Sequence, residues 1–277
     1  MTTKKLTIEQ KYKSMTEVEH ILQKSGMWIG SINKEDKNLY VYDNDNCKMI
    51  MKTVSYIPAV LKLVDEIISN SVDEYRRIDN LGLTNLDVKI DTNGFITIRD
   101  NGGIPVVKHK EAGIMVPQLI FGRMRTSSNY NDDEDRSGLG TNGVGSSLTN
   151  IFSSYFGVMT DDGKKRWVGN WKNNMSEFYD EEIEKSSKKN HGTRITFHLD
   201  FSRFEGIDKL DRTFKDIILT RCINAAAANP GLKVTYKDED LCGEYRYDNF
   251  KDYITPILYY KRISDVYDEE TKSALEE

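Results

Sequence analysis

Three polar residues, Glu66, Asn70 and Asp73, have the types and the spacing that could carry out chemistry. The apolar residues around them recur at helical spacing and are Leu61, Val64, Ile68, Val72 and Tyr75. The polar trio therefore falls on the opposite side of one amphipathic helix. A base, an amide oxygen that can bind a hard cation and a further carboxylate are what hydrolysis of a metal–nucleotide complex needs. Taken alone, the same motif also fits the solvated face of an ordinary helix.

A glycine-rich segment further along the chain is typical of a phosphate-binding turn. Residues 138–143 match G-x-G-x-x-G in letters, but they follow a charged segment instead of a buried strand, which argues against a Rossmann site. A Walker A motif is absent from the sequence. The better interpretation is that Gly140, Gly143 and Gly145 open onto a helix starting at residues 146–148. Such a turn lets backbone N–H groups approach a polyphosphate. A surface loop that enters a helix is the open alternative.

The predicted helices and strands that must position these residues indicate a mixed α/β sandwich, with helices packed on one sheet. A helix follows Pro58, and a hairpin turns at Asn93-Gly94. We further predict a loop or edge hairpin at residues 33–48 and a long polar loop at 125–147. Apolar residues at helical spacing follow over 148–156, a charged connection over 181–191 and a helix over 207–228.

Bulk composition limits the classes of function. The chain has 277 residues, 30% of them charged, and a net charge of -5, which argues against a nucleic-acid coat over the whole surface. The scattered residues Cys47, Cys222 and Cys242 fit a reducing compartment. No run reaches the roughly 18 apolar residues of a membrane helix, and the first residues do not form a signal peptide. We therefore expect a cytoplasmic protein without a membrane partner.

Four segments in order resemble the motifs of the Bergerat-fold (GHKL) ATPases, most closely the N-terminal ATPase domain of type IIA DNA topoisomerases. They are Glu66–Asp73, Asp100–Val106, Thr126–Ser153 and Gly192–Phe197. The likeness covers roughly residues 8–265. The Ser127-Ser128-Asn129-Tyr130 sequence favours the eukaryotic and phage-like branch over bacterial gyrase, with the large ATPase subunits of T-even bacteriophages as expected relatives.

The resemblance implies a fold and a division into domains. The implied fold class is an α/β (α+β) two-layer sandwich, with a mixed, mostly antiparallel sheet and helices on one face. The implied domains are an N-terminal arm and strap over residues 1–30, the ATPase domain over 31–265, and the start of a connection to a transducer domain over 266–277.

The resemblance also implies ATP and Mg²⁺ as ligands and assigns roles to matching residues. Glu66 would be the general base, Asn70 would ligate Mg²⁺, Asp73 would support the pocket and Asp100 would accept a hydrogen bond from the adenine amino group. Thr193 would lie behind adenine, and Tyr12 would reach the nucleotide of a partner subunit. The other implied ATP-binding residues lie in a lid and in the glycine turn, and they are Ser127, Ser128, Asn129, Gly140, Thr141, Asn142, Gly143, Val144, Gly145, Ser146 and Ser147.

Three departures from the family pattern accompany these matches. Gly102 and Gly103 are adjacent, where the family has a residue between them, so the adenine edge of the site has a different shape. Ser147 stands where related topoisomerases place a lysine, so that phosphate contact is absent or comes from another residue such as Arg136 or Arg125. The transducer lysine that would reach the γ-phosphate has no match in these 277 residues.

The predicted function is ATP binding and hydrolysis in a type II DNA topoisomerase. ATP would drive self-dimerisation and so gate DNA strand passage, with DNA and other topoisomerase subunits or domains as partners. Two alternatives stay open: another GHKL ATPase, from the chaperone or mismatch-repair class, and a nucleotide-sensing module with little hydrolysis.

Overall fold

An eight-stranded sheet, a separate hairpin and a set of helices make up the part of the chain that the computed structural model describes. The described residues are 15–44, 46, 48–77, 82–124, 144–187, 189 and 191–254. The strands are β1 (Glu35–Asp43), β2 (Lys48–Tyr56), β3 (Asn85–Ile90), β4 (Ile96–Asp100), β5 (Ser153–Asp162), β6 (Lys165–Lys172), β7 (Glu177–Lys185), β8 (His191–Leu199), β9 (Lys233–Lys237) and β10 (Cys242–Tyr245). The main helices are α1 (Glu17–Gln23), α2 (Ser25–Ile29), α3 (Pro58–Arg76), α4 (Val116–Gly122), α5 (Gly145–Ile151) and α6 (Arg212–Ala228).

The large sheet has the strand order β10-β9-β3-β4-β8-β5-β6-β7. Strands β3 and β9 are parallel, and every other neighbouring pair of this described sheet is antiparallel. Strands β1 and β2 form a two-stranded antiparallel sheet of their own, which packs against α6. The predicted mixed, mostly antiparallel sheet is therefore confirmed.

Burial alternates along the central strands, as expected for a sheet that carries helices on one face. In β3, Val88 and Ile90 are buried and Lys89 between them is exposed. In β4, Ile98 is buried and Arg99 is exposed. The buried side chains join one core with those of α3, α5 and α6, so the predicted two-layer arrangement holds.

Helix α3 forms where the apolar period predicts it. Pro58 occupies the first turn, where its missing N–H costs nothing. The predicted apolar residues Leu61, Val64, Ile68 and Val72 are all buried. Tyr75 is half-buried, and its hydroxyl donates to the carbonyl of Pro230 at 2.7 Å. One side of α3 is thereby committed to the core and its other side is left for the polar trio.

The helical spacing that we predicted through residue 156 is wrong beyond residue 151. Helix α5 ends at Ile151 and strand β5 begins at Ser153. Phe156 and Val158 alternate into the core as strand residues do. Short apolar runs fit either period, and pairing of β5 with both β6 and β8 decides for the strand.

The connection predicted at residues 181–191 is shorter than expected, because strand β7 continues to Lys185 and strand β8 begins at His191. This strand pairs with β6 alone and lies at the edge of the described sheet, where charged side chains stay in solvent. Glu181 also accepts a hydrogen bond from the indole of the buried Trp167, at 2.8 Å. The edge hairpin expected within residues 33–48 is present as β1 and β2, and β2 runs on to Tyr56.

The long loop predicted at 125–147 lies outside the described residues as far as residue 143, and residue 145 already begins α5. Within the described ranges, no helix has both the length and the apolar content needed to cross a membrane.

Candidate functional site

The polar side of α3 borders a cleft of about 340 Å³. Glu66, which is half-buried, and Asn70, which is exposed, both line it. The remaining lining residues are Tyr56, Pro58, Leu61, Lys62, Asp65, Ser69 and Arg221. Asp73 lies on the same side of the helix and is half-buried. The helical spacing thus brings the predicted base and the predicted cation ligand to one cleft.

Glu66 is in direct contact with the start of α5. A side chain at position 145 would overlap the Glu66 carboxylate, since its Cβ would lie 2.8 Å from Glu66 Cδ. Burial raises the pKa of the Glu66 carboxyl, while the nearby Lys62 ammonium opposes this rise. Lys62 is itself held by a 3.1 Å hydrogen bond to the carbonyl of Trp28. A carboxyl with a raised pKa is better suited to take a proton than an exposed one.

Helix α5 is fixed to α3 and to α4 by side chains that bond to backbone carbonyls. The Thr149 hydroxyl donates to Leu63 O of α3 at 2.9 Å. The Asn150 amide donates to Phe121 O at the end of α4, at 3.0 Å. Both bonds join α5 to neighbouring helices, so they set where its first turn stands relative to Glu66.

Ser147 is fully buried, and its hydroxyl faces away from the Glu66 side of α5. It donates to Arg123 O at 2.7 Å and lies 3.2 Å from Ile120 O. The side chain therefore serves the end of α4, and only the backbone N–H of Ser147 remains for a phosphate. A lysine at this position would have to extend out of a buried site.

Asp100 ends strand β4 beneath α3 and is buried. Its Oδ2 accepts a 2.7 Å hydrogen bond from Ser71 of α3, and its Oδ1 accepts one from Gly102 N at 3.0 Å. Burial raises the pKa of the Asp100 carboxyl, although the Ser71 hydroxyl and the Gly102 and Thr193 N–H groups oppose the rise. Asp100 is not part of the lining of the α3 cleft described above; Ser71 connects it to α3.

Strand β8 begins next to Asp100 and supports it from the side. Thr193 is buried, pairs with Asp100 in register, and shares a 3.0 Å hydrogen bond with the Thr160 hydroxyl. Gly192, with φ +148°, allows this approach, because a Cβ there would lie 2.6 Å from the Asp100 carbonyl oxygen. A larger residue would separate β8 from β4 at this point.

The turn that contains the adjacent glycines is held by three side chains that sequence reasoning missed. Thr160 accepts from Ile104 N at 3.0 Å, and Asp162 accepts from Val106 N at 2.9 Å. His191 Nδ1 lies 2.5 Å from Asn101 O, a carbonyl that can only accept, so this nitrogen carries the proton. The backbone of the shortened turn is thus held by side chains of β5 and β8.

The structure brings together only some of the predicted residues. Val144 precedes α5 and is half-buried, and the Ser146 side chain is buried in its first turn. The predicted residues outside the described ranges are Tyr12, Ser127, Ser128, Asn129, Gly140, Thr141, Asn142 and Gly143. Ser71 was missed, although a signal existed: it is a polar residue on the apolar side of a helix, where a hydrogen-bonding partner is required.

The donor set at the cleft suits Mg²⁺ bound largely by a substrate. The described residues contain no group of three or more His, Cys, Asp or Glu residues that could enclose a metal ion. Mg²⁺ keeps several waters and commonly takes one or two protein oxygens together with substrate phosphates. The exposed Asn70 amide fits that pattern.

Comparison with known proteins adds independent findings. Residues 57–203 match the family model described as histidine kinase-, DNA gyrase B- and HSP90-like ATPase. DNA topoisomerase 2 of Drosophila melanogaster is 37% identical over 265 residues, which cover 95% of this chain and 18% of that protein. DNA topoisomerase 2-beta of Mus musculus is 37% identical over 246 residues, which cover 87% of this chain and 15% of that protein.

The fold has a counterpart among solved structures. The ATPase region of Saccharomyces cerevisiae topoisomerase II superposes with a TM-score of 0.82 at 32% identity, covering 91% of this chain and 66% of that one. These findings agree with the resemblance predicted from the four ordered segments. The chain spans less than a fifth of the length of the curated relatives named above.

Proposed function

Because the chain belongs to the family of histidine kinase-, DNA gyrase B- and HSP90-like ATPases, we propose that it hydrolyses ATP at the junction of α3 and α5 as part of a type II DNA topoisomerase. The observation that carries this proposal is the contact between the Glu66 carboxylate and Gly145. It puts a candidate base directly beside the helix start that would face the phosphates.

Glu66 acts in this proposal as the general base. Its carboxylate orients a water molecule against the γ-phosphate and accepts a proton from it. Half-burial and the raised pKa support this role, since a stronger base takes the proton more readily near neutral pH. Lys62 opposes the rise and so favours the ionised form, the one that can accept a proton.

Asn70 and the backbone of α5 hold the triphosphate. The Asn70 amide oxygen would ligate Mg²⁺, which when bound neutralises charge on the phosphate oxygens. The first N–H groups of α5, from Gly145 to Ser147, have no partner within the helix and point at the phosphates. Asp73 supports this pocket. Ser127, Ser128 and Asn129, with the glycine turn over residues 140–143, complete the predicted contacts.

Asp100 and Thr193 form the adenine end of the proposed site. The Asp100 carboxylate accepts a hydrogen bond from the exocyclic amino group, and Thr193 contributes behind it through water. The support for this assignment is the buried carboxylate at the end of β4, fixed between α3 and β8.

The activity of the longer protein forms the second part of the proposal. ATP binding would promote dimerisation through the arm that contains Tyr12, and the dimer would gate passage of one DNA segment. DNA, a second copy of the chain and the other topoisomerase subunits or domains are the proposed partners, in the cytoplasm. The relatives named DNA topoisomerase 2 support this reading. The domain boundaries at residues 30 and 265, and a T-even bacteriophage source, also remain predictions.

The decisive experiment is Glu66→Ala. We expect this variant to bind ATP and to release phosphate about 100- to 10,000-fold more slowly, the usual contribution of a general base. Release of radiolabelled phosphate measures turnover, and displacement of a fluorescent ATP analogue measures binding. Glu205→Ala, which removes an exposed glutamate after β8, is the control and should behave as the unchanged chain.

Two results would count against the assignment. Full turnover by Glu66→Ala would remove Glu66 as the base. The second result concerns the protein that contains all its domains, without any substitution. If it binds ATP and releases no phosphate, the nucleotide-sensing alternative is favoured.

A further inference from the structure

We infer that Ser71 sets the base preference of the nucleotide site, because its hydroxyl donates to the Asp100 carboxylate at 2.7 Å and holds that carboxylate as a hydrogen-bond acceptor. The inference rests on the proposed role of Asp100 in adenine binding. Ser71 is a positioning residue in this scheme: it acts on the base through Asp100.

The Ser71 hydroxyl is buried and bonds to the Asp100 carboxylate. Ser71 is 5% exposed and Asp100 is 9% exposed, so neither group can exchange its partner freely with solvent. A hydroxyl on the apolar side of a helix costs free energy unless it is bonded, and the Asp100 Oδ2 is the partner that it finds. Gly102 N occupies the other oxygen at 3.0 Å. Both carboxylate oxygens are thus oriented by donors.

The chemistry of the carboxyl group links this geometry to base preference. An ionised carboxylate only accepts hydrogen bonds, so it suits the 6-amino group of adenine and repels the 6-oxo group of guanine or hypoxanthine. A protonated carboxyl also donates, and it can therefore bond a 6-oxo purine. Burial favours the protonated form of Asp100, and donors such as Ser71 favour the ionised form.

Removing the hydroxyl should therefore affect nucleotides differently according to the group at position 6. In Ser71→Ala we expect ATP to bind about tenfold more weakly, the effect of one hydrogen bond to a charged group. GTP and inosine triphosphate should lose little affinity or gain some. Purine riboside triphosphate, which has no group at position 6, should bind nearly as it does to the unchanged chain.

The experiment is displacement of a ribose-labelled fluorescent ATP analogue by each of the four triphosphates. It is run on the unchanged chain, on Ser71→Ala and on Ser71→Thr, which restores a hydroxyl and should restore preference for ATP. Ser153→Ala is the matched control, because Ser153 is also buried and donates a single bond, to Thr149 O at 2.6 Å. Thermal melting of each variant shows whether it is folded. Ratios of the dissociation constants of the four nucleotides are compared within each variant, so a general loss of binding does not affect them.

The outcomes separate the two levels of the proposal. Weakening of all four nucleotides by the same factor in Ser71→Ala would overturn the role of Ser71 and leave the adenine role of Asp100 standing. If the unchanged chain shows no preference for ATP over its 6-oxo and unsubstituted analogues, the proposed adenine contact itself fails. Loss of preference confined to Ser71→Ala, with rescue by Ser71→Thr, would support the inference.

Discussion

At the scale of single residues, Gly145 decides how closely the backbone of α5 can approach the proposed base. The space that a Cβ would need is occupied by the Glu66 carboxylate. Glycine is therefore required at this position for contact between helix and base. The requirement involves the end of a side chain, so a larger residue would displace the carboxylate and leave the fold in place.

We therefore expect Gly145→Ala to fold and to hydrolyse ATP about 100-fold more slowly, since a misplacement of the order of 1 Å in a reacting group can cost that much. Nucleotide binding should change far less than turnover. Phosphate release and analogue displacement measure the two separately. Gly26→Ala is the control, because no atom lies within 4 Å of the added Cβ there. Normal turnover in Gly145→Ala would show that Glu66 has no need of its present position.

The sequence predicted the relative placement of two residues correctly where both lie on one helix. Glu66 and Asn70 meet at one cleft because helical spacing alone aligns them. The contacts of Ser71 with Asp100 and of Gly145 with Glu66 join residues on different elements. No local pattern encodes how α5 and β4 are placed against α3, so these partners became visible only in the fold.

At the scale of elements, the ion pair between α3 and α6 makes the free energy of unfolding depend on pH. Asp65 Oδ2 lies 3.3 Å from Arg221 Nε. Burial raises the pKa of Asp65 to about 6, and Arg221 opposes the rise. The ordinary value is 3.8, so the folded chain holds this proton more tightly than the unfolded chain does. As pH rises from about 4 to above 6, the group therefore subtracts stability from the folded state.

Asp65→Asn should remove this dependence. The melting temperature of the unchanged chain, relative to that of the variant, should fall by a few degrees between pH 4 and pH 7. That corresponds to about 1 kcal/mol, since the side chain is partly solvated and screening reduces the effect. Arg221→Gln, which removes the opposing cation, should steepen the fall. A temperature difference that stays constant across this range would contradict the prediction.

The accuracy of the secondary-structure prediction differed between elements, because the spacing of apolar residues is not equally clear in all of them. Helix α3 has a long apolar stripe and was predicted well, whereas β5 and β7 were not. Only Phe152 separates the end of α5 from the start of β5, and β7 has charged residues on both faces, with residues 180–185 exposed. Pairing with distant strands decides both cases, and a local pattern contains no record of such pairing.

At the scale of the whole molecule, the resemblance that the four motif segments carry predicted the fold class correctly. The described parts of these segments lie in α3, at the end of β4, in α5 and in β8. The order of the four segments does not indicate how the chain assembles. This chain covers 66% of the solved yeast ATPase region, which is the longer of the two.

We expect residues 1–277 alone to stay mainly monomeric with a non-hydrolysable ATP analogue and to hydrolyse ATP slowly, because the transducer lysine predicted for the γ-phosphate is not among them. Sedimentation velocity with and without the analogue measures this. A longer piece of the same protein that includes the transducer domain expected from the resemblance provides the comparison. A stable closed dimer formed by residues 1–277 would contradict the expectation.

The parallel pairing of β3 with β9 has a consequence for synthesis on the ribosome. Strand β3 ends at Ile90, and its partner is complete only at Lys237. At about 5–20 residues per second, the nascent chain waits roughly 7 to 30 seconds before that edge of β3 can close. During that interval its backbone groups are open to strands of other polypeptides. The yield of folded protein should therefore depend on chaperones that cover the incomplete sheet, and premature termination before β9 should yield aggregates.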